Sequence, residues 1–196
     1  MNSQQQKIYQ EILKFKPSCN QEEKEKEVIL KYIETFPNIL LRENEFAHIT
    51  SSGWILNKTH DKTLMAFHKI YNSWTWTGGH ADGDDDFVGI AIREAEEETG
   101  IHARLLSPDI LSLEIIPVNG HIKNGKFVAT HLHLSLCYLL EADEDQSIRP
   151  KLDENTGVQW VPNSNVLSMI SEDDRLMIPI FSKIMKKAAE IAPPLK

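Results

Sequence analysis

The chain has 196 residues, 41% of them hydrophobic, and a formal net charge of −8 from 21 Lys and Arg against 29 Asp and Glu. That size suits one domain with attachments around a sizeable core, and a sequence pI of about 5.5 lacks the basic footprint of a nucleic-acid-binding domain. No run approaches the roughly 18 apolar residues of a membrane span.

The N-terminus, MNSQQQKIYQEIL, shows no basic stretch followed by an apolar one, so no secretory signal is read there. The two cysteines, Cys19 and Cys137, lie far apart without metal-ligand spacing, which fits a reducing cytoplasm better than a disulfide framework. A cytoplasmic protein with neither membrane nor nucleic-acid polymer as partner is expected. An acidic protein still holds a small phosphate compound when a divalent cation bridges the two charges.

Residues 2–36 are predicted as two helices. Ile8, Ile12 and Leu13 are spaced for one face of the first, and Pro17-Ser18 breaks it. The second, about 21–36, places Val28, Ile29, Tyr32 and Ile33 on one side. Its charge run QEEKEKE reads as a solvated face. From about residue 47, HITSSGWIL and TLMAFHKI read as strands joined by the polar loop 57–62. Trp74-Thr75-Trp76-Thr77 is a third short strand, which Gly78-Gly79 breaks. A helix from about 86 to 99 follows, then strands near 111–118, 128–142 and 158–162. SNVLSMI and about 173–189 close the chain as helices, with Leu176, Ile180, Ile184 and Ala188 at helical spacing. Helices, mixed strands around one central helix, then helices: the order suits an α/β or α+β layer fold.

The central helix carries the chemistry. Between Asp82 and Glu98 stand four aspartates and four glutamates against the single cation Arg93, a net −7 out of the chain's −8. At about 100° per residue, Val88, Ala91, Ile92, Ala95 and Thr99 fall on one arc, which should face the core. Glu94 and Glu98 lie on the adjacent stripe at i, i+4, Glu97 flanks them within reach of Arg93, and Glu96 points to solvent. Like charges so close, beside a buried sheet, are best compensated by a cation. All-oxygen, multi-carboxylate sites suit Mg²⁺ or Mn²⁺.

These residues resemble the signature of the Nudix hydrolase family, whose best-known members are MutT-like: Gly, five residues, Glu, seven residues, then Arg-Glu-apolar-any-Glu-Glu-any-Gly-apolar. Gly79 opens it here, and Arg93-Glu94-Ala95-Glu96-Glu97-Glu98-Thr99-Gly100-Ile101 completes it. One defined position departs: Asp85 replaces the first glutamate, keeping the charge with a shorter reach, and aspartate is itself a good N-cap residue. The likeness covers roughly residues 45–165, including the Trp-x-Trp-Thr-Gly-Gly turn and Gln159-Trp160-Val161-Pro162. It implies a Nudix-type mixed sheet sandwiched between helices in residues 43–196, with residues 1–42 a helical extension packed on that domain. The extension is open to three roles: covering the site, forming a homodimer contact, or capping the sheet.

The resemblance further implies divalent-metal-dependent cleavage of a diphosphate linkage in a nucleoside diphosphate derivative, with Mg²⁺ or Mn²⁺ as cofactor and a small-molecule phosphate substrate. Carried over residue by residue, Glu94 and Glu98 are metal ligands, Glu97 a further ligand directly or through water, and the carbonyl of Gly78 or Gly79 completes the shell. Arg93 orients Glu97. The catalytic base is Glu154, just before the VQWVP strand, or else Glu97.

Outside the signature, His131 and His133 alternate on one strand face, and His80 follows the glycines directly, so all three are candidates for substrate contact. His48 and His68 are read as structural. Trp74 and Trp76 are read as packing residues, base stacking being the alternative. Pro117 falls 16 positions after Ile101, near where ADP-ribose-cleaving relatives carry a proline. Two other readings compete. Isopentenyl diphosphate isomerase shares this fold but needs a reactive cysteine by the glycines, where this chain reads WTGGHADG. A non-catalytic nucleotide-binding module usually lacks box glutamates, which this chain retains.

Overall fold

The computed structural model describes residues 1–123 and 125–195. Helix α1 (Ser3–Lys14) starts at a reciprocal cap: the Asn2 side chain accepts from the Gln5 N–H, and the Gln5 side chain accepts from the Asn2 N–H, each at 2.8 Å. Helix α2 (Asn20–Thr35) packs beside it. Next come β1 (Ala47–Asn57), β2 (Lys62–His68), β3 (Ser73–Thr75), β4 (Thr77–His80), α3 (Phe87–Thr99), β5 (Ala103–Leu105) and β6 (Ser112–Val118). A β7 (His121–Lys123), β8 (Lys126–Val128) hairpin leads to β9 (His131–Ala142) and β10 (Asn155–Pro162). A 3-10 turn, the short α4 (Val166–Met169), a second 3-10 turn and α5 (Ile178–Ile191) complete the chain.

The strands form one mixed sheet in the order β10-β2-β1-β9-β5, with β3 on β2, β4 on β1 and β6 on β9. The β1–β9 pair is parallel over its whole length, from Ala47 beside Leu132 to Asn57 beside Ala142, and the other pairs are antiparallel. Strand alternation divides the core. Ile49, Ile55, Leu134, Leu136 and Leu140 face α1, α2 and α3; Trp54, Trp76, Cys137 and Leu139 meet Phe181 and Ile184 of α5. The expected sheet between helices is therefore the fold. No helix among the described residues is long and apolar enough to cross a membrane.

Several local expectations are corrected. Leu13 and Val28 are 46% and 39% exposed, because the buried stripe of each helix runs through residues four apart, Ile8 with Ile12 and Ile29 with Ile33. The QEEKEKE run is not simply solvated. Glu22 is fully buried beneath α5, where Lys187 Nζ lies 3.0 Å from its Oε1, and Ser18 donates to its Oε2. Lys183 bonds buried Glu114 at 2.7 Å, which also accepts from Gln21 and Ser112. The break expected at Gly78-Gly79 falls instead at Trp76, between β3 on β2 and β4 on β1, and both glycines lie inside β4 because it pairs with β1 through them. Leu176 is 90% exposed: Pro179 sits in the first turn of α5, and the segment before it winds as a 3-10 turn out of register with the buried Phe181–Ile184–Ala188 face.

Candidate active site

The site is assembled where β4 runs under α3. The Asp86 side chain accepts from the Gly89 N–H at 3.0 Å and caps the helix start. Gly100 ends the helix in the left-handed region at φ 75°, a conformation glycine adopts without a Cβ penalty. Asp85, expected at the cap, instead pairs with Lys7 of α1, because the non-helical backbone that a cap requires falls one residue later.

Along α3, Phe87, Ile90, Ala91, Ala95 and Thr99 are buried and Glu96 is exposed, while Val88 and Ile92 are only partly covered. Glu98 goes further inward than the border position expected for it, at 3% exposed. Its Oε1 accepts from the Gly78 N–H and its Oε2 from Asn155 Nδ2, both at 2.9 Å. Burial pushes its carboxyl up to about 7, despite those two bonds, and the charges of Glu94 and Glu154 add to the rise. Burial likewise raises the Glu94 carboxyl, with Glu97 as the next cause and Glu154 a further one. Buried Asn155 Oδ1 has no hydrogen-bond partner.

Glu154 therefore stands within the field of Glu94 and Glu98, as a loop base would. Its backbone carbonyl accepts from Lys69 N–H at the end of β2, and its carboxylate lies 3.0 Å from Lys151 Nζ and 3.7 Å from Lys123 Nζ. Lys151 also reaches Glu97 at 3.5 Å. Arg93 does not hold Glu97: its guanidinium lies 3.7 Å from Asp84, and Glu97 turns to Lys151. The two long side chains diverge because each finds an opposite charge off the helix.

A side chain at Gly79 would have to displace the carboxylate end of Glu94. A Cβ there would sit 2.2 Å from Glu94 Cδ and 2.3 Å from its Oε1. The backbone thus lies directly against the Glu94 carboxylate. Glu94, Glu97, Glu98 and a glycine carbonyl would offer only oxygen donors, as hard divalent ions require, and these carboxylates with Glu154 outnumber the cation Lys151 between them. The residues present fit such an ion.

The histidines lie elsewhere. On β1, Ser51 donates to the Phe87 carbonyl of α3, so odd-numbered residues face the glutamate helix and His48 faces away. On β4, Gly79 faces Glu94 while a Cβ at Gly78 would meet Ser52, which puts His80 on the far face with His48. His131 and His133 share that face of β9, since His133 pairs with His48. His80, His131 and His133 are thus gathered together, with His48 as a fourth member, across the sheet from Glu94. Burial drives the imidazoles of His80 and His133 down to about 2 and lowers that of His48. His68 instead stacks on Tyr71. Trp76 is buried against Trp54 and Phe181, and Trp74 meets Phe67 edge-on, the packing roles expected of them. Pro117 is exposed on β6 opposite Leu132. Asn155 and Lys151 carried no signal in the sequence beyond their nearness to Glu154.

The NUDIX domain family model matches residues 47–181. A Xenopus laevis protein, nucleoside diphosphate-linked moiety X motif 6, is 32% identical over 90 residues, covering 45% of this chain. The match spans 38% of that protein's length. Among solved structures, a binary complex of a C. elegans Ap4A hydrolase aligns at TM-score 0.50 and 18% identity, over 74% of this chain and 97% of that one. A NUDIX-family hydrolase from Clostridium perfringens aligns at TM-score 0.49 and 20% identity, over 71% and 96% of the two chains. At these identities the structural likeness concerns the fold.

Proposed function

This chain belongs to the Nudix family, and from that premise we propose that it is a divalent-metal-dependent hydrolase that cleaves the diphosphate linkage of a nucleoside diphosphate derivative. The observation that carries the reading is the packing of Glu94 against the Cβ-free backbone at Gly79 and of Glu98 on the Gly78 N–H, with Glu97 and Glu154 close enough for their charges to act on Glu94. The name of the Xenopus relative, which speaks of a nucleoside diphosphate-linked moiety, supports the same substrate class. On this reading residues 1–42 are a helical extension and residues 43–196 the hydrolase domain.

Glu94, Glu97 and Glu98 would hold Mg²⁺ or Mn²⁺, with the carbonyl of Gly78 or Gly79. A bound divalent ion supplies two things here: offset of charge on the phosphate oxygens and a lowered pKa for the attacking water. Glu98 retains lone pairs for a ligand role after accepting from Gly78 and Asn155, because a carboxylate offers about four acceptor positions. Those two bonds fix its rotamer before any ion arrives. Glu154 accepts the proton of the attacking water, and Lys151, 3.0 Å away, aims its carboxylate. Arg93 and Asp84 stabilise the loop between β4 and α3 rather than contacting substrate.

The test is a turnover screen. The purified chain is incubated with Mg²⁺ or Mn²⁺ and a panel of nucleotide sugars, dinucleoside polyphosphates, nucleoside triphosphates and dinucleotides, with Glu98→Gln alongside. Metal-dependent release of a nucleoside monophosphate or diphosphate, absent in the variant, is the expected result. If no compound is cleaved although Mg²⁺ still binds, the catalytic reading gives way to a binding module.

A further inference from the structure

We propose that His48, His80, His131 and His133 form a second metal site, selective for a borderline transition ion of the zinc class, on the sheet face opposite the glutamates. One ligand nitrogen from each of the four lies within 4.8 Å of the others. The arrangement follows from strand register. The parallel pairing of β1 and β9 sets His48 beside His133, His131 stands two residues away on the same face, and β4 brings His80 in opposite Thr50. Ring centroids of His48 lie 5.0, 5.0 and 5.3 Å from those of His80, His131 and His133.

Four imidazoles packed together at tilted and edge-on angles satisfy packing but leave hydrogen bonding incomplete. Nε2 of His48 and of His133 are buried and have no partner. An unpaired buried polar atom costs about 1–3 kcal/mol, and two in one cluster ask for a common partner. The tautomers point the same way. Nδ1 of His48 lies 3.0 Å from the Asn44 carbonyl and Nδ1 of His131 lies 2.8 Å from the Ala129 carbonyl. A carbonyl only accepts, so each Nδ1 carries the hydrogen and each Nε2 presents a lone pair to the cluster. A backbone carbonyl behind the ring is also how imidazole ligands are commonly oriented toward an ion.

The donor chemistry separates the two sites. Neutral nitrogen ligands suit zinc, copper, nickel and cobalt, whereas Mg²⁺ and Mn²⁺ prefer the oxygens across the sheet. Tetrahedral bonds of about 2.0–2.1 Å would bring the nitrogens to roughly 3.3–3.4 Å apart, a contraction that side-chain rotation can supply. With four protein ligands the coordination shell is closed, which marks a structural rather than a catalytic site. Such an ion would tie β1, β4 and β9 together and so hold β4, the strand that carries Gly79.

The full chain is stripped with chelator and titrated with Co²⁺ under excess Mg²⁺, following the visible d–d absorption, for the native sequence, Glu94→Gln/Glu98→Gln and His133→Gln. The expected result is one Co²⁺ per chain with the strong bands of a tetrahedral nitrogen site, displaced by Zn²⁺. The glutamate variant should match the native sequence, and His133→Gln should bind at least about tenfold more weakly. Absence of those bands in the native sequence overturns the site, as does their loss in the glutamate variant. Should His133→Gln fail to fold by circular dichroism, the native and glutamate-variant titrations decide alone. Neither depends on hydrolase activity.

Discussion

Glu98→Gln in metal-free protein tests the electrostatic account of the site. Glu98 is 3% exposed, and its carboxyl is raised from 4.5 to about 7 chiefly by burial. A carboxyl raised in the folded state binds its proton there more tightly than in the unfolded chain, so stability falls as pH rises from 4.5 to 7 and stays lower above it. At 1.36 kcal/mol per unit, that difference is about 3 kcal/mol at pH 8. Glutamine removes the charge and keeps an oxygen for the Gly78 N–H. Its amide can donate to the partnerless Asn155 Oδ1 once the Asn155 amide turns over. The variant should therefore melt roughly 6–12 °C above the native sequence at pH 8, taking about 2–4 °C per kcal/mol for a chain of this size. Near pH 4.5 the gap should close. Millimolar Mg²⁺ should raise the melting temperature of the native sequence and leave the variant nearly unmoved. Calorimetry with and without Mg²⁺ at the two pH values reads all of this. A variant that melts at or below the native sequence at pH 8 in chelator would refute the buried-charge reasoning, and an undiminished Mg²⁺ response would remove Glu98 as a ligand.

Gly79→Ala should fold, because the atoms its Cβ meets are the movable carboxylate end of Glu94, yet it should displace that ligand and weaken Mg²⁺ at least about tenfold; calorimetric titration beside a thermal melt separates the two effects. Glu154→Gln should lower kcat by about 10²–10⁴ with Mg²⁺ affinity little changed, and a variant turning over at the native rate would move the base to Glu97. Lys183→Met should cost about 3–5 kcal/mol in urea unfolding, since it strands the fully buried Glu114, whereas Lys183→Met/Glu114→Gln should recover much of that. In metal-free Glu98→Gln protein, stability should decline as pH falls below 6.5. His80 and His133, depressed to about 2 in the fold, take up protons in the unfolded chain first, at about 1.4 kcal/mol per proton per pH unit. Urea unfolding across pH 5–7 measures that slope, and a flat profile would contradict the burial of the two rings.

The α3 helix and its glutamate stripe were readable from spacing because 3.6 residues per turn is a local property of the backbone. The same rule placed Ala91, Ala95 and Thr99 inward and Glu96 outward, as found. Side-chain partners were less readable. Arg93 sat at the right spacing for Glu97, but a long side chain takes whichever opposite charge is nearest in space, here Asp84. Glu22 looked solvated within a run of charges, and only the docking of α5 supplies Lys187 to bury it.

The chain's order of residues thus specifies which helices and strands form, and which acids line the edge of α3, through interactions spanning a few residues. Bringing Glu154 to Glu98, and gathering His48, His80 and the β9 histidines on one face, depends on strand register. Register is chosen by burial of the whole sheet between two helical layers, because a slip of one residue would turn every side chain of a strand to the opposite face. That choice also assigns the two clusters their opposite sides: Gly79 and His80 are neighbours in the chain, and the pleat sends one toward oxygen donors and the other toward nitrogen.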